Sequence, residues 1–111
     1  MTASDILTQA LHELGGGASS RWAASTLLLY LSDGQHEVMN LRPDTRLKTD
    51  GTLDDYQAVA ATGDTLILGA GYRQALVDYV VYRALSEIGA DEENLARANA
   101  RHQSFRARLG R

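Results

Sequence analysis

The stretch GYRQALVDYVVYRALSE, which begins at residue 71, has almost no polar side when it is placed on a helix. Tyr72, Leu76 and Tyr79 project to one side of that helix. A surface helix in a small protein normally has one apolar stripe and one solvated side. A second apolar side of this helix therefore also has to be buried, either by the rest of its own chain or by another copy of the chain. Its second apolar side carries Val77, Val81, Ala84 and Ile88.

The composition describes a folded protein of ordinary polarity. The chain has 111 residues, of which 44% are hydrophobic and 23% are charged, and these values indicate one globular domain. It contains no cysteine, so disulfides and thiolate metal sites are excluded. No apolar run approaches the roughly 20 residues that cross a bilayer, and the first residues lack the pattern of a secretory signal. We therefore expect the protein inside the cell that makes it, or in a particle assembled there, and not in a membrane.

The net charge of −3 conceals an asymmetry between the two ends of the chain. From Arg97 onward there are five arginines and no acidic residue, whereas the preceding part carries six basic and fourteen acidic side chains. One interpretation is that the two ends meet different partners. The other is that arginines near the end of a helix complement its dipole.

The apolar spacing predicts a mostly α-helical protein, built as a small helical bundle. A first helix with a glycine elbow covers residues 1–17, and a second helical region covers 21–42. A long, partly extended loop is predicted at about 43–70. Residues 71–110 are predicted to form an antiparallel helical hairpin, because apolar residues recur there at the narrow spacing of two packed helices. That seam consists of Leu95, Ala98, His102, Phe105 and Leu109.

A glycine leaves two interpretations of the second helical region open. Gly34 lies in the middle of this region, where glycine costs about 1 kcal/mol relative to alanine. Either one helix runs through Gly34, or two helices meet near Asp33.

Residues that could support catalysis or hold a metal or cofactor are not grouped in the sequence. His12, His36 and His102 fall on three different predicted elements, and none has a second ligand at a metal-binding spacing. The glycines at 15–17 follow a helix and lack the lysine of a phosphate-binding loop. No nucleophile, base and orienting group can be assembled. We expect a protein that is not an enzyme and that has no cofactor.

Arginines on one side of the last predicted helix, here called the arginine stripe, suggest a different function. Arg97, Arg101 and Arg108 fall on one side of the last helix, as contacts to phosphates would require. This pattern is compatible with a small helical regulator that associates with DNA. The acidic body and the lack of a recognition motif argue against that function.

Two stretches resemble a known family. RWAASTLLLYLSDGQHEVMNLRPD (21–44) and DTLILGAGYRQALVDYVVYRALSEIGADEENLARANARHQSFRARLG (64–110) are similar to tailed-bacteriophage head-to-tail adaptor proteins, also called connector or head-completion proteins. Relatives in that family carry a longer, strand-rich middle region, of which only about 25 residues (43–68) remain here. This chain also has Ala23 and Ala24 where relatives have a threonine-acid helix cap.

The resemblance implies a structural virion protein with a single helical adaptor domain. Such adaptors form a ring, typically of twelve copies, that attaches beneath the portal at the phage neck. The ring extends the DNA channel without sequence-specific binding and supports a tail or stopper protein. Assembly would take place in the host cytoplasm. Another neck or tail-completion component is an alternative that the same residues leave open.

The ring suggests which residues form interfaces. One side of the helix at 71–88 would pack within its own chain, and the other side would pack on a neighbouring copy, since a ring requires two different patches on each subunit. The basic last helix would reach acidic grooves of the portal or line the channel through which DNA passes. The portal is favoured, because a channel that lets DNA slide should not bind phosphates tightly. The predicted subunit or portal interface consists of Trp22, Tyr72, Tyr79, Val81, Tyr82, Arg97, Arg101 and Arg108.

Overall fold

The computed structural model describes residues 1–14, 24–42, 61, 63, 64, 66, 68, 70–87 and 92–110. Within these residues the chain is mostly helical, which confirms the predicted fold class. A short 3-10 turn at Ala70–Tyr72 leads into the third helix. The four α-helices are α1 (Ala3–Glu13), α2 (Ala24–Leu41), α3 (Arg73–Glu87) and α4 (Glu92–Arg108). Most of the predicted loop (43–60) and Trp22 lie outside the described residues.

Helix α1 begins with a capping box. The Thr2 hydroxyl accepts a hydrogen bond from the backbone N–H of Asp5, and the Asp5 carboxylate accepts one from the backbone N–H of Thr2. The backbone just before the helix is also held. Ala3 N–H donates to the Asp64 carbonyl at 3.0 Å, and Leu66 N–H donates to the Met1 carbonyl at 3.0 Å. The start of the chain is thus tied to the segment that precedes α3.

Helix α2 continues through its glycine, so the alternative of two helices meeting near Asp33 is wrong. Gly34 is buried against the ring of Tyr79 on α3. A Cβ atom at Gly34 would lie 2.7 Å from Tyr79 Cδ1 and 3.1 Å from Tyr79 Cγ. The glycine is therefore explained by close helix packing, because only a residue without a side chain admits the ring at this position.

Replacing Gly34 with alanine is expected to lower the free energy of unfolding by up to about 2 kcal/mol, since overpacking costs about 1–3 kcal/mol and better helix propensity returns about 1 kcal/mol. Urea denaturation followed by circular dichroism measures the change. Gly71→Ala is the matched control, because a Cβ there meets nothing within 4 Å. Equal stability of both variants would contradict the packing account.

Helix α3 is the central element of the bundle. It packs against α4, α2 and α1, and it buries side chains on both apolar sides, Leu76 and Tyr79 on one and Val77, Val81 and Ala84 on the other, whereas Ile88 lies outside the described residues. The expectation that one side of this helix is left for a neighbouring copy is wrong. The reason is that α1, α2 and α4 all pack against α3 within the single chain. The apolar residues of α3 that are exposed by 1% or less are Leu76, Val77, Val80, Val81 and Ala84.

Helices α3 and α4 form the predicted antiparallel hairpin. The ring of Tyr79 lies 5.1 Å from that of Phe105, and the ring of Tyr82 lies 4.6 Å from that of His102. Because the later residue on α3 meets the earlier residue on α4, the two helices run in opposite directions. Three seam residues are buried as predicted, namely Ala98, Phe105 and Leu109. Leu95, in the first turn of α4, is instead 45% exposed.

Candidate interaction surfaces

The three tyrosines of the predicted interface differ in solvent exposure. Tyr79 is 6% exposed, whereas Tyr72 and Tyr82 are half-buried. Val81, at 1% exposure, belongs to the core of the single chain. Tyr79 and Val81 are therefore not available to a partner in this arrangement, and Tyr72 and Tyr82 keep part of their surface exposed.

Tyr79 is held from several directions inside the chain. Arg83 Nη1 donates hydrogen bonds to the Tyr79 hydroxyl and to Asp33 Oδ2, each at 3.0 Å. The Arg83 guanidinium also lies 4.8 Å from the centre of the Tyr30 ring, a cation–π contact. Burial raises the pKa of Tyr79 above its ordinary value, although the hydrogen bond from Arg83 opposes the shift. This cluster joins α2 to α3 and is structural.

A buried carboxylate organises one flank of the hairpin. Asp78 on α3 is 1% exposed, and both of its oxygens are engaged. Arg101 Nη1 donates to Oδ1 at 2.9 Å, and Arg108 Nε donates to Oδ2 at 2.9 Å. The Ser104 hydroxyl adds a hydrogen bond to Oδ2 at 2.8 Å, and Gln74 Nε2 adds one to Oδ1 at 3.3 Å. A buried charge requires ion-pair and hydrogen-bond partners of this kind, because burial without them is costly.

The same group of charges reaches the first helix. Arg101 Nη1 also donates to Glu13 Oε1 on α1, so one guanidinium bridges two carboxylates on two helices. Gln9 Nε2 donates to Glu13 Oε2 at 3.0 Å and to Gln74 Oε1 at 2.9 Å. We call Glu13, Asp78, Arg101 and Arg108 the charge cluster. It fastens α1 to the hairpin.

The charge cluster predicts a loss of stability in acid. Partial burial raises the pKa of Glu13, but hydrogen bonds from Gln9 and Arg101 and the Arg101 charge outweigh burial and place the pKa below the ordinary value of 4.5. A carboxyl group whose pKa is lower in the folded state stabilises the fold above its unfolded pKa and loses that effect as the pH falls through the folded pKa. The urea midpoint is therefore expected to fall as the pH drops below about 4.5.

The variant Glu13→Gln is expected to be less stable than the parent chain near neutral pH. The two chains are expected to become similar in stability in acid, because protonation of Glu13 removes its contribution from the parent as well. Urea midpoints at neutral and acidic pH measure this convergence. Glu37→Gln serves as the control, since Glu37 makes no ion pair with any residue that the structure describes. A constant difference between Glu13→Gln and the parent at all pH values would contradict the role of Glu13.

The charge cluster changes the interpretation of the arginine stripe. Arg101 and Arg108 do lie on the same flank of α4 as Arg97, but both are paired with Asp78. Replacing Arg101 is therefore expected to disturb the fold, because its side chain joins α1 to α3. Arg97 is exposed and makes no ion pair with any described residue. It is the member of the stripe that is free to meet a partner.

The sequence interpretation missed Asp78 as the partner of these arginines. It is the acidic residue between Arg73 and Ser86, with apolar residues on both sides of it in the sequence. An acid at such a position is almost never fully buried without a partner. The spacing of Arg101, Ser104 and Arg108 on the facing helix was the signal that could have identified that partner.

Two large apolar side chains remain exposed among the described residues. Leu29 on α2 is 57% exposed, and Leu95 on α4 is 45% exposed. No group of His, Asp and Glu side chains suited to a metal ion occurs in the described part of the chain. The described helices also include none that is long and apolar enough to span a bilayer.

Comparison with known proteins adds no relative. No protein-family model matches the chain, and no curated protein matches it significantly.

Proposed function

We propose that this chain is a structural protein of the neck of a tailed-bacteriophage particle. In this proposal, copies form a ring, typically of twelve, beneath the portal. The ring joins the portal to a tail or stopper protein and extends the channel for the genomic DNA. The chain acts through binding and has no catalytic role or cofactor.

The observation that carries the proposal is the way the two adaptor-like stretches fit together. Residues 21–44 include α2, and residues 64–110 include α3 and α4. These helices pack through the Gly34–Tyr79 contact and the hairpin seam, so both stretches belong to one packed unit. The proposal does not rest on an uncovered side of α3, since α1, α2 and α4 all pack against α3.

The charge cluster favours this function over a regulator that binds DNA. Contacts to phosphates supply most of the affinity of nonspecific DNA binding. Two of the three stripe arginines, Arg101 and Arg108, are already neutralised by Asp78 and Glu13. Arg97 is the one stripe arginine without an ion pair to a described residue, and one such cation suits a contact with an acidic protein surface better than it suits a duplex.

The direct test is electron microscopy of the chain co-expressed with the portal protein of its phage. The expected result is a ring of this protein on the narrow end of the portal. Duplex DNA binding is measured in parallel at low and moderate salt. No association with the portal, together with tight and salt-sensitive DNA binding, would contradict the neck function and support the regulator.

Arg97→Glu is expected to weaken attachment to the portal without changing the thermal midpoint, because the side chain is exposed and forms no ion pair with a described residue. Co-purification with the portal and thermal unfolding measure the two effects. Arg73→Glu is the matched control, since Arg73 is also exposed but lies on α3 beside α1. Equal portal binding by both variants would remove Arg97 from the interface.

A further inference from the structure

We propose that α1 is a strap that opens as one unit while the other three helices stay packed together. The strap is defined as residues 1–14, and the three-helix unit as α2, α3 and α4. The inference concerns a motion within a single chain, so its test does not depend on the proposed neck function.

Helix α1 contributes few large side chains to the hydrophobic core. Its buried residues are Ala3, Ile6, Leu7 and Ala10, so two of the four are alanines, which bury little area. Segments with few buried apolar contacts open at a lower free energy than the whole molecule. The small apolar contact therefore permits α1 to open before the rest of the fold.

The release of α1 leaves the buried carboxylate of Asp78 with all of the partners described above. Arg101 Nη1 pairs with both Glu13 on α1 and Asp78 on α3, so the guanidinium keeps Asp78 when Glu13 departs. Gln74 loses the hydrogen bond from Gln9 but still donates to Asp78. The Glu13 side chain is already 21% exposed and becomes solvated. Breaking an ion pair is most costly where a charge is left buried and unpaired, and the release of α1 avoids that cost at Arg101 and Asp78.

Helix α4 is tied to α3 more firmly than α1 is. Three of its side chains donate hydrogen bonds to Asp78, at 2.8 to 2.9 Å. Its Phe105 is 0% exposed and lies against the ring of Tyr79. Opening of α4 breaks all of these contacts together. Opening of α1 breaks one ion pair between described residues, that of Glu13 with Arg101.

Helix α2 is joined to both helices of the hairpin without the help of α1. The ion pair of Asp33 with Arg83 and the close packing at Gly34 connect it to α3. Just beyond its end, Arg42 Nη1 donates to the Leu109 carbonyl at 3.1 Å, which connects it to the end of α4. The three-helix unit therefore has contacts among all of its helices that remain when α1 leaves.

The strap is fastened at both of its ends. At its start, the backbone of Met1 and Ala3 is hydrogen-bonded to that of Leu66 and Asp64. At its end, Glu13 pairs with the hairpin. Fraying from either end is opposed by these contacts, so α1 is expected to leave in one step rather than residue by residue.

Native-state hydrogen exchange at low urea concentrations, resolved residue by residue by nuclear magnetic resonance, tests the inference. The amides of residues 7–13 are expected to share one opening free energy and to exchange at least about tenfold faster than those of α3, after correction for intrinsic rates. Their opening free energy is expected to fall with urea less steeply than that of α3, because release exposes less surface than complete unfolding. A slope equal to that of α3 would show one cooperative unit, and a slope near zero would show fraying. Either result would overturn the strap.

Ile6→Asp tests the same separation with a variant. Ile6 is 0% exposed, and an acid at this position is expected to move into water and to release α1. The amides of residues 7–13 are then expected to exchange nearly as fast as those of an unstructured chain, while the amides of α3 stay protected. Thr8→Asp, at an exposed position on the same helix, is the matched control and is expected to leave both helices protected. If Ile6→Asp removes protection from both helices together, or leaves both protected, the inference is overturned.

Discussion

Replacing Val81 with aspartate is expected to unfold the isolated chain. Val81 is 1% exposed at the centre of α3, where no partner for a carboxylate is available among the apolar side chains around it. Burying an unpaired charge is one of the most destabilising single changes, and we expect a loss of about 4 kcal/mol or more. Small domains are stable by about 5–15 kcal/mol, so such a loss removes most of the margin of a chain near the lower end of that range. Far-ultraviolet circular dichroism and urea denaturation measure it.

The matched control is Leu29→Asp, the same kind of change at an exposed position. With 57% of its surface exposed, Leu29 can be replaced by an acid that remains solvated, so the urea midpoint is expected to stay close to that of the parent. A Val81→Asp chain that stays folded but fails to assemble would show that Val81 faces a neighbouring copy, which contradicts the arrangement described above.

Replacing Asp78 with asparagine is expected to lower the free energy of unfolding by about 2–4 kcal/mol. The change keeps the shape of the side chain but removes the charge that Arg101 and Arg108 share, and it turns an amide donor toward a guanidinium donor. Breaking a buried ion pair by changing one partner costs about 3–5 kcal/mol, and partial exposure of the arginines reduces the loss. Urea denaturation provides the measurement.

Asp33→Asn is the control for Asp78→Asn. Its carboxylate also pairs with an arginine, Arg83, but the side chain is 42% exposed, so a loss of about 0.2–1 kcal/mol is expected. Similar losses for the two variants would show that burial does not set the strength of the charge cluster.

Hydrophobic periodicity predicted the helices of this fold but did not show how α3 is covered. The pattern of α3 showed that two sides of the helix must be buried. It did not say whether α1 or another copy covers the second side, because a periodic pattern describes a surface and not its partner. The docking of α1 depends on contacts such as Glu13–Arg101, between residues 88 positions apart. No local pattern encodes a contact of that kind.

The candidate surface was predicted less completely than the fold. The stripe arginines were placed on the correct helix, but Asp78 was not recognised as the partner of Arg101 and Arg108. One acidic residue within a largely apolar stretch of helix did not by itself indicate that its side chain was buried. Gly34 was interpreted as a weak point of α2, although it admits the ring of Tyr79. Both features become visible only when two helices are brought together.

The link between Glu13 and Arg101 also has a consequence for synthesis on the ribosome. Helix α1 leaves the exit tunnel early, but the guanidinium that fastens it is made 88 residues later. The early part of the chain therefore cannot complete the burial of α3 by itself, and the docking of α1 is expected to be a late step of folding, since it joins residues that are far apart in the sequence.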